Sequence, residues 1–283
     1  MASILVTGAT GFIGRHLVPA LIAAGHQVIA SGTKSKQDLS FDWLEAVEYL
    51  PCDLNQVPEN PYAYFGRPDH LIHLAWEGLP QYQEPFHFER NLYASYFLIK
   101  AMVQGGLKDV TVLGTCFEYG LSNGALSEEM PTAPTNAYGQ AKDSLQKFLS
   151  FLAKKYPFQL KWVRLFYLYG EGQSKNSILS QLKLAIEQKQ PAFNMSGGEQ
   201  LRDYLPVETV ADYLVKIAIH PEFSGIVNCC SGKPLSVRKL VENYLAQNQL
   251  SIPLNLGYYP YSENEAMAFW GCTEKLNQIL SGP

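Results

Sequence analysis

The sequence predicts an α/β chain built on a doubly wound parallel sheet with a smaller C-terminal lobe, and two features carry that prediction. Through the first 170 residues, short runs of aliphatic and β-branched residues alternate with amphipathic stretches, the pattern of right-handed βαβ units. The first run leads directly into Thr7-Gly-Ala-Thr-Gly-Phe-Ile-Gly14, where Gly8, Gly11 and Gly14 recur every third residue between a strand and a helix. A chain of 283 residues is long enough to bury a sizeable core, roughly three quarters of the surface it would expose when unfolded.

In order, Ile4–Val6 reads as a buried strand, and Phe12–Ala24 has helical periodicity closed by Gly25. Gln27–Ala30, Val47–Leu50 and His70–Leu74 are the next strands. A long helix runs from about Phe86 to Gln104 and stops at Gly105-Gly106, followed by the strand Val110–Leu113. Residues 116–135, with Gly, Ser, Asn, Pro131 and Pro134, read as an active-site loop. Either Asn136 or Thr135 can cap the helix that follows, and Leu160–Phe166 is a further core strand. Beyond residue 170 the alternation is less regular, with helices near 176–189, 207–219 and 236–247. The expected division is a dinucleotide-binding domain at 1–170 and a substrate lobe at 171–283, with segments free to interleave.

The glycine spacing has a physical purpose. Glycines there allow a tight turn and close backbone approach to a pyrophosphate, which the amides of the following helix attract. Gly8, Gly11, Phe12, Ile13 and Gly14 are therefore candidate dinucleotide contacts in a Rossmann-type unit. NAD-binding units commonly end the second strand in an acid for the ribose hydroxyls. Here that strand continues as Ser31-Gly-Thr-Lys34, without an acid. Ser31, Thr33, Lys34 and Arg15 suit a 2′-phosphate, so NADP(H) is the expected cofactor and NAD(H) the alternative; Lys34 and Arg15 also read as plain surface charges.

Tyr138 and Lys142 lie four residues apart in Asn136-Ala-Tyr-Gly-Gln-Ala-Lys142, which puts a phenol and an ammonium on one helix face, one turn apart. A phenol titrates near 10 when free, and a neighbouring cation is expected to lower it. The remaining chemistry is narrow. A net charge of −4 gives no case for nucleic acid or an anionic membrane. No apolar run approaches the ~20 residues of a membrane span, and the first strand begins too early for a signal peptide; a cytoplasmic protein is expected. Cys52, Cys116, Cys229, Cys230 and Cys272 are odd in number and fit reduced thiols, without the spacing of a metal site.

Taken with His73-Leu-Ala-Trp76, Asn91, Gly114-Thr-Cys-Phe-Glu-Tyr-Gly120, Arg164-Leu-Phe-Tyr-Leu-Tyr-Gly170 and Gly198-Glu-Gln-Leu-Arg-Asp-Tyr204, these motifs resemble the extended short-chain dehydrogenase/reductases. The likeness is to the branch of NAD(P)-dependent sugar-nucleotide epimerases, dehydratases and reductases, and it spans nearly the whole chain. It implies that Thr115 hydrogen-bonds the reacting oxygen, that Tyr138 gives or takes the proton, and that Lys142 holds the nicotinamide ribose and lowers the phenol. It implies Asp53 and Leu54 beside the adenine, Ala75 beside the cofactor ribose, and Arg202 on the substrate diphosphate. Plainer roles stay open: Thr115 bonding backbone, Asp53 capping a turn, Arg202 and Asp203 forming a surface pair.

Departures from the family pattern narrow the expected reaction. The acid pair that dehydratases carry after the catalytic Thr is Cys116-Phe117 here, which excludes water loss by that route. No His in 160–190 partners Cys116 for epimerisation at carbons 3 and 5, and Cys116 reads as a packing residue. Tyr167 replaces an Asn that helps hold phosphate, and Glu118 has no evident role. The expectation is a reductase of the 4-keto group of a nucleotide-activated 6-deoxyhexose, working as a homodimer. A UDP-sugar 4-epimerase with tightly held NAD is the alternative, and a non-catalytic cofactor-sensing protein the third reading.

Overall fold

In the computed structural model, which describes residues 1–261 and 265–282, strand and helix alternate from the first residues. The first elements are β1 (Ser3–Thr7), α1 (Gly14–Ala23), β2 (Gln27–Ser31), β3 (Glu48–Tyr49), α2 (Pro61–Tyr64) and β4 (His70–His73). Next come α3 (Leu92–Gly105), β5 (Asp109–Thr115), β6 (Gly124–Leu126), α4 (Ala137–Lys155) and β7 (Gln159–Leu165). The second half holds β8 (Tyr167–Tyr169), α5 (Ile178–Glu187), β9 (Phe193–Asn194), β10 (Leu201–Pro206), α6 (Val207–Ile219) and β11 (Gly225–Cys229). It ends with β12 (Pro234–Ser236), α7 (Val237–Gln247), β13 (Leu254–Asn255), β14 (Phe269–Gly271) and α8 (Glu274–Ser281).

Seven strands form one sheet in the order β11-β7-β5-β4-β1-β2-β3, and every pairing in it is parallel. The doubly wound sheet expected from the sequence is thus present. The chain leaves β1 toward β2 and β3, then returns to build β4, β5, β7 and β11 on the other side. The order reverses between β1 and β4, the place where open α/β sheets leave a crevice past their strand ends. Both faces are covered, which is why Ile4, Leu5 and Val6 form an unbroken apolar run with no exposure.

One face packs on α1, α6 and α8 through Leu17, Leu21, Val210, Leu214 and Leu276. The other packs on α3 and α4 through Leu98, Met102, Leu145, Leu149 and Trp162. Each such side chain, fully buried, contributes about 1.5–3 kcal/mol. Past residue 170 the chain returns to the large sheet with α6, β11 and α8. The remaining elements make a lobe of β8, β10 and β12, with α5 and α7 closing over Leu179, Leu182, Phe193, Leu240 and Val241.

Two boundaries differ from expectation for local reasons. α1 starts at Gly14 rather than Phe12, because Gly11 N–H turns back to the Gly8 carbonyl at 3.0 Å and closes a tight turn first. The helix expected from Phe86 begins as a wider π-type turn over His87–Asn91 before α3 proper. In that turn the Asn91 side chain donates to the Glu77 carbonyl at 2.9 Å, tying α3 to the segment after β4.

Candidate active site

A cleft opens at the β1–β4 reversal. Of the expected cofactor contacts, Gly8, Gly11, Ser31, Leu54 and Ala75 line it, and Trp76, Glu77, Asn91 and Ser95 join them. Gly8 has φ +70°, and a Cβ on it would stand 2.8 Å from the Ala75 nitrogen, so two backbones meet there and only glycine fits. The Ala9 N–H donates to the Ser31 carbonyl at 3.0 Å, joining the glycine turn to the end of β2. Phe12, Ile13 and Gly14 lie behind this wall at the start of α1, where unpaired amides favour an anion. The buried Ser95 hydroxyl has no partner among the described residues, which fits a polar ligand group on this wall. The residues present therefore suit a dinucleotide.

Four candidates sit at or beyond the edge, Thr33 still lining the cleft. Thr33 and Lys34 are exposed, and the Tyr49 hydroxyl donates to the Lys34 carbonyl at 2.8 Å, fixing the backbone while the ammonium faces solvent. The Arg15 guanidinium lies 5.5 Å from the Phe41 ring centre. Asp53 Oδ1 accepts from the Asn55 N–H at 2.9 Å and its amide at 3.0 Å, forming the turn that presents Leu54.

The three expected catalytic side chains come together at the end of β5. Asn136, not Thr135, caps α4, its Oδ1 accepting from Gly139 N–H at 2.7 Å, and this sets Tyr138 in the first turn. Thr115 lies close enough to Tyr138 to act on its phenol. Lys142, buried, donates from Nζ to the Leu113 carbonyl at 2.8 Å, and Nζ lies 3.8 Å from the Trp76 ring centre. One expectation is corrected here. The phenol is not lowered by Lys142; burial first, then Tyr82, Glu118 and Cys116, push it up, and only Thr115 opposes them. The cause is desolvation, which acts on the ammonium too and brings Lys142 down to about 7.

Burial comes from a strap, residues 76–87, that crosses Tyr138. The Tyr138 N–H donates to the Tyr82 carbonyl at 3.0 Å. Aromatic rings surround the phenol: His87 at 5.4 Å, Tyr82 at 5.7 Å, Trp76 at 6.0 Å and Phe117 at 6.3 Å between ring centres. The strap is pinned from within, Trp76 Nε1–H donating to His87 Nδ1 at 3.0 Å and the other ring nitrogen meeting the Gln81 carbonyl at 2.9 Å.

Glu118, without a role in the sequence, proves central. Its fully buried carboxylate accepts from Thr115 N–H at 2.8 Å, from Trp162 Nε1–H at 3.0 Å and from Arg164 Nε–H at 2.6 Å. Burial pushes this carboxyl up and Arg164 opposes it. Three converging donors leave no place for a proton, so the ionised pair is the arrangement that satisfies them. Gly114 makes the space, since a Cβ there would overlap Glu118 and Trp162. The signal was readable: Thr115-x-x-Glu118 is a capping box, and both of its bonds are present.

On the substrate side, burial pushes the Cys116 thiol up to about 12, with the Arg202 charge opposing it. At that value it is inert as an acid or base near neutrality. Arg202 is buried, donating to the Leu201 and Met267 carbonyls at 2.9 and 3.3 Å and to Glu265 at 3.2 Å. Asp203 points away from it, accepting from Ser231 N–H at 2.7 Å, Gly232 N–H at 2.8 Å and Gly271 N–H at 3.2 Å. The surface pair envisaged for Arg202 and Asp203 does not form, because strand alternation sends the two side chains to opposite faces of β10. Tyr167 fills the space between, 6.3 Å from Phe117 and 5.6 Å from Tyr204.

We predict that Glu118→Gln destabilises the protein by about 3–5 kcal/mol in denaturant unfolding, by stranding the Arg164 charge. Adding Arg164→Met should recover part of that loss; a Glu118→Gln protein of native stability would contradict the pairing.

The chain is 32% identical over 271 residues, 95% of its own length and 99% of the relative's, to a dTDP-6-deoxy-L-talose 4-dehydrogenase (NAD(+)) of Aggregatibacter actinomycetemcomitans. It is 26% identical to a UDP-glucose 4-epimerase of Halalkalibacterium halodurans, over 98% of the chain and 89% of the epimerase. The solved structure of MoeE5 with UDP-glucuronic acid and NAD superposes with a TM-score of 0.83 at 26% identity, covering 99% of this chain and 93% of that one. Residues 4–230 match the model of the NAD dependent epimerase/dehydratase family, and the chain belongs to that family of sugar-nucleotide oxidoreductases and epimerases.

Proposed function

We propose that this protein interconverts a 4-keto group and a 4-hydroxyl on a nucleotide-activated 6-deoxyhexose, with reduction as the working direction. The observation that carries the reading is the wall around Tyr138: Phe117, Tyr82 and Trp76 rings, with a thiol at Cys116 held out of reach of its proton chemistry. Among the described residues no carboxylate beside the phenol is free, since Glu118 is consumed by its three donors. Such a site supports the movement of one proton at one oxygen, and not elimination of water. The 4-dehydrogenase relative acts at the same carbon.

The bound nicotinamide would supply or accept the hydride. Thr115 orients the reacting oxygen, and Tyr138 donates its proton to that oxygen as the alcohol forms. Lys142, the buried cation one turn along α4, offsets the charge left on the phenolate. The strap excludes water, so each of these polar contacts acts in a medium of low dielectric. Arg202, with Tyr167 and Tyr204 beside it, is assigned to the nucleotide end of the substrate, exchanging Glu265 for phosphate oxygens.

Incubation with a dTDP- or CDP-linked 4-keto-6-deoxyhexose and reduced coenzyme should yield the 4-hydroxy sugar by mass spectrometry. Tyr138→Phe should lower turnover on the order of 10²–10⁴-fold. Absence of product across such a panel defeats the reading. A product inverted at carbon 4 without net coenzyme change would instead establish 4-epimerisation, the reading that the epimerase relative favours.

NADP(H) is proposed as the preferred coenzyme, because β2 ends in Ser31 followed by exposed Thr33 and Lys34, with no acid to repel a 2′-phosphate. Comparison of KM for NADPH and NADH should show the phosphate form lower; an equal or lower value for NADH assigns the site to NAD(H). A homodimer is proposed through the outer faces of α3 and α4, where Tyr93, Phe97, Phe148 and Phe151 are 48%, 55%, 41% and 69% exposed. Light scattering should give twice the chain mass, and Phe97→Glu with Phe151→Glu should halve it.

A further inference from the structure

An ammonium has three hydrogens to place, and Lys142 is buried, with one of them on the Leu113 carbonyl at 2.8 Å. Among the described residues no carboxylate bonds to it. What meets its remaining surface is an indole: Nζ lies 3.8 Å from the Trp76 ring centre. The face of an indole carries the negative lobe of its quadrupole, and its attraction for a cation is greatest where water is excluded. An indole is useful in this way only if it cannot turn aside, and here its N–H is anchored on His87 Nδ1 at 3.0 Å. His87 is itself buried, and its other nitrogen meets the Gln81 carbonyl at 2.9 Å. The two bonds select one tautomer: Nδ1 accepts from the indole and Nε2–H donates to the carbonyl.

We propose that Trp76 is a positioning residue for Lys142, its indole locked by His87 so that the ring face keeps the ammonium charged and seated at the end of β5. The proposal rests on the reading of Thr115, Tyr138 and Lys142 as the reactive set, and adds to it two residues that none of the site motifs contains in that role. The titratable groups facing Lys142 are His73 from β4, His87 from the turn before α3, Glu118 from the turn after Thr115, and Tyr138 on α4 itself. Burial holds His73 near 3 and keeps His87 below its ordinary value, so both stay neutral, and Glu118 is spent on Arg164. Among the described residues three things favour the charged form of Lys142: the Leu113 carbonyl, the nearby Glu118 charge, and the Trp76 ring face, the one of them that lies over Nζ itself without an ion pair. The sign follows. Lys142 loses its charge as pH rises through about 7, and removing the indole face moves that loss to lower pH.

The first measurement needs no substrate. Intrinsic fluorescence of the ligand-free protein should change in one step near neutral pH as Lys142 loses its proton under the indole. Lys142→Met and Trp76→Leu should each abolish the step. A step that survives in either variant belongs to a histidine or another tryptophan and overturns the proposal, as does a featureless wild-type titration. The second measurement is the pH profile of turnover. Trp76→Leu should move the alkaline limb of kcat down by about one pH unit. Should Trp76→Leu fold poorly, His87→Phe, which frees the indole and leaves its face intact, should move the limb in the same direction. A kcat lowered equally at every pH, with the limb unmoved, would mean that Trp76 only fills space. If no 4-keto sugar is turned over at all, the functional reading fails while the fluorescence titration still decides this one.

Discussion

The buried pair of Glu118 and Arg164 is the contact on which the geometry of the site depends. Burying two charges is costly, and a buried pair is rarely the cheapest way to gain stability. Its value here is positional. A carboxylate that holds the Thr115 amide, the Trp162 ring and the Arg164 guanidinium at once ties the end of β5 to β7. Thr115 is the first residue of that turn, so the group that would touch the reacting oxygen is held by charge-assisted bonds rather than by a mobile loop. Gly114 is the companion requirement, because any side chain there would expel the carboxylate.

Around that fixed point the surroundings are apolar and aromatic, with consequences for proton chemistry. The simple picture of a lysine lowering a tyrosine assumes a cation in contact with a solvated phenol. In this protein both groups are buried, desolvation dominates each, and it drives them in opposite directions: the phenol up, the ammonium down. Both changes favour the neutral forms. The charge that assists proton transfer must therefore come from whatever holds Lys142 protonated and from the coenzyme and substrate that complete the site. The strap over Tyr138 supplies dryness, and its internal bond from Trp76 to His87 makes that cover rigid.

The fold was readable to a large degree because its signals are local and repeated. Aliphatic runs such as Ile4–Val6 can only be strands buried on both faces, and Gly8, Gly11 and Gly14 announce a strand, a tight turn and a helix in that order. The spacing of Tyr138 and Lys142 was sufficient to put them on one helix face. Glu118 was missed although its capping box lay in plain view, since a box signals a helix start and says nothing of a second partner 46 residues away at Arg164. For Asp203 the sequence left open only a surface pair with Arg202. Its true partners, Ser231, Gly232 and Gly271, are far along the chain and offer mostly backbone amides, which leave no mark on a sequence.

By itself the sequence determined which chemistry is available: the doubly wound sheet, the glycine cradle, and a hydroxyl, a phenol and an amine in an order that matches one family. The sheet, the cradle and the phenol–amine pair follow from periodicity and spacing over a few residues, where backbone geometry leaves little freedom; the place of the hydroxyl comes from the family resemblance. Only the tertiary structure decided the electrostatic state of those groups. Which face of Lys142 meets an indole, how deeply Tyr138 lies beneath 76–87, and where the Glu118 carboxylate is spent all depend on segments brought together by folding. Burial and charge in a low-dielectric interior are properties of that assembled neighbourhood, and no short stretch of residues carries them.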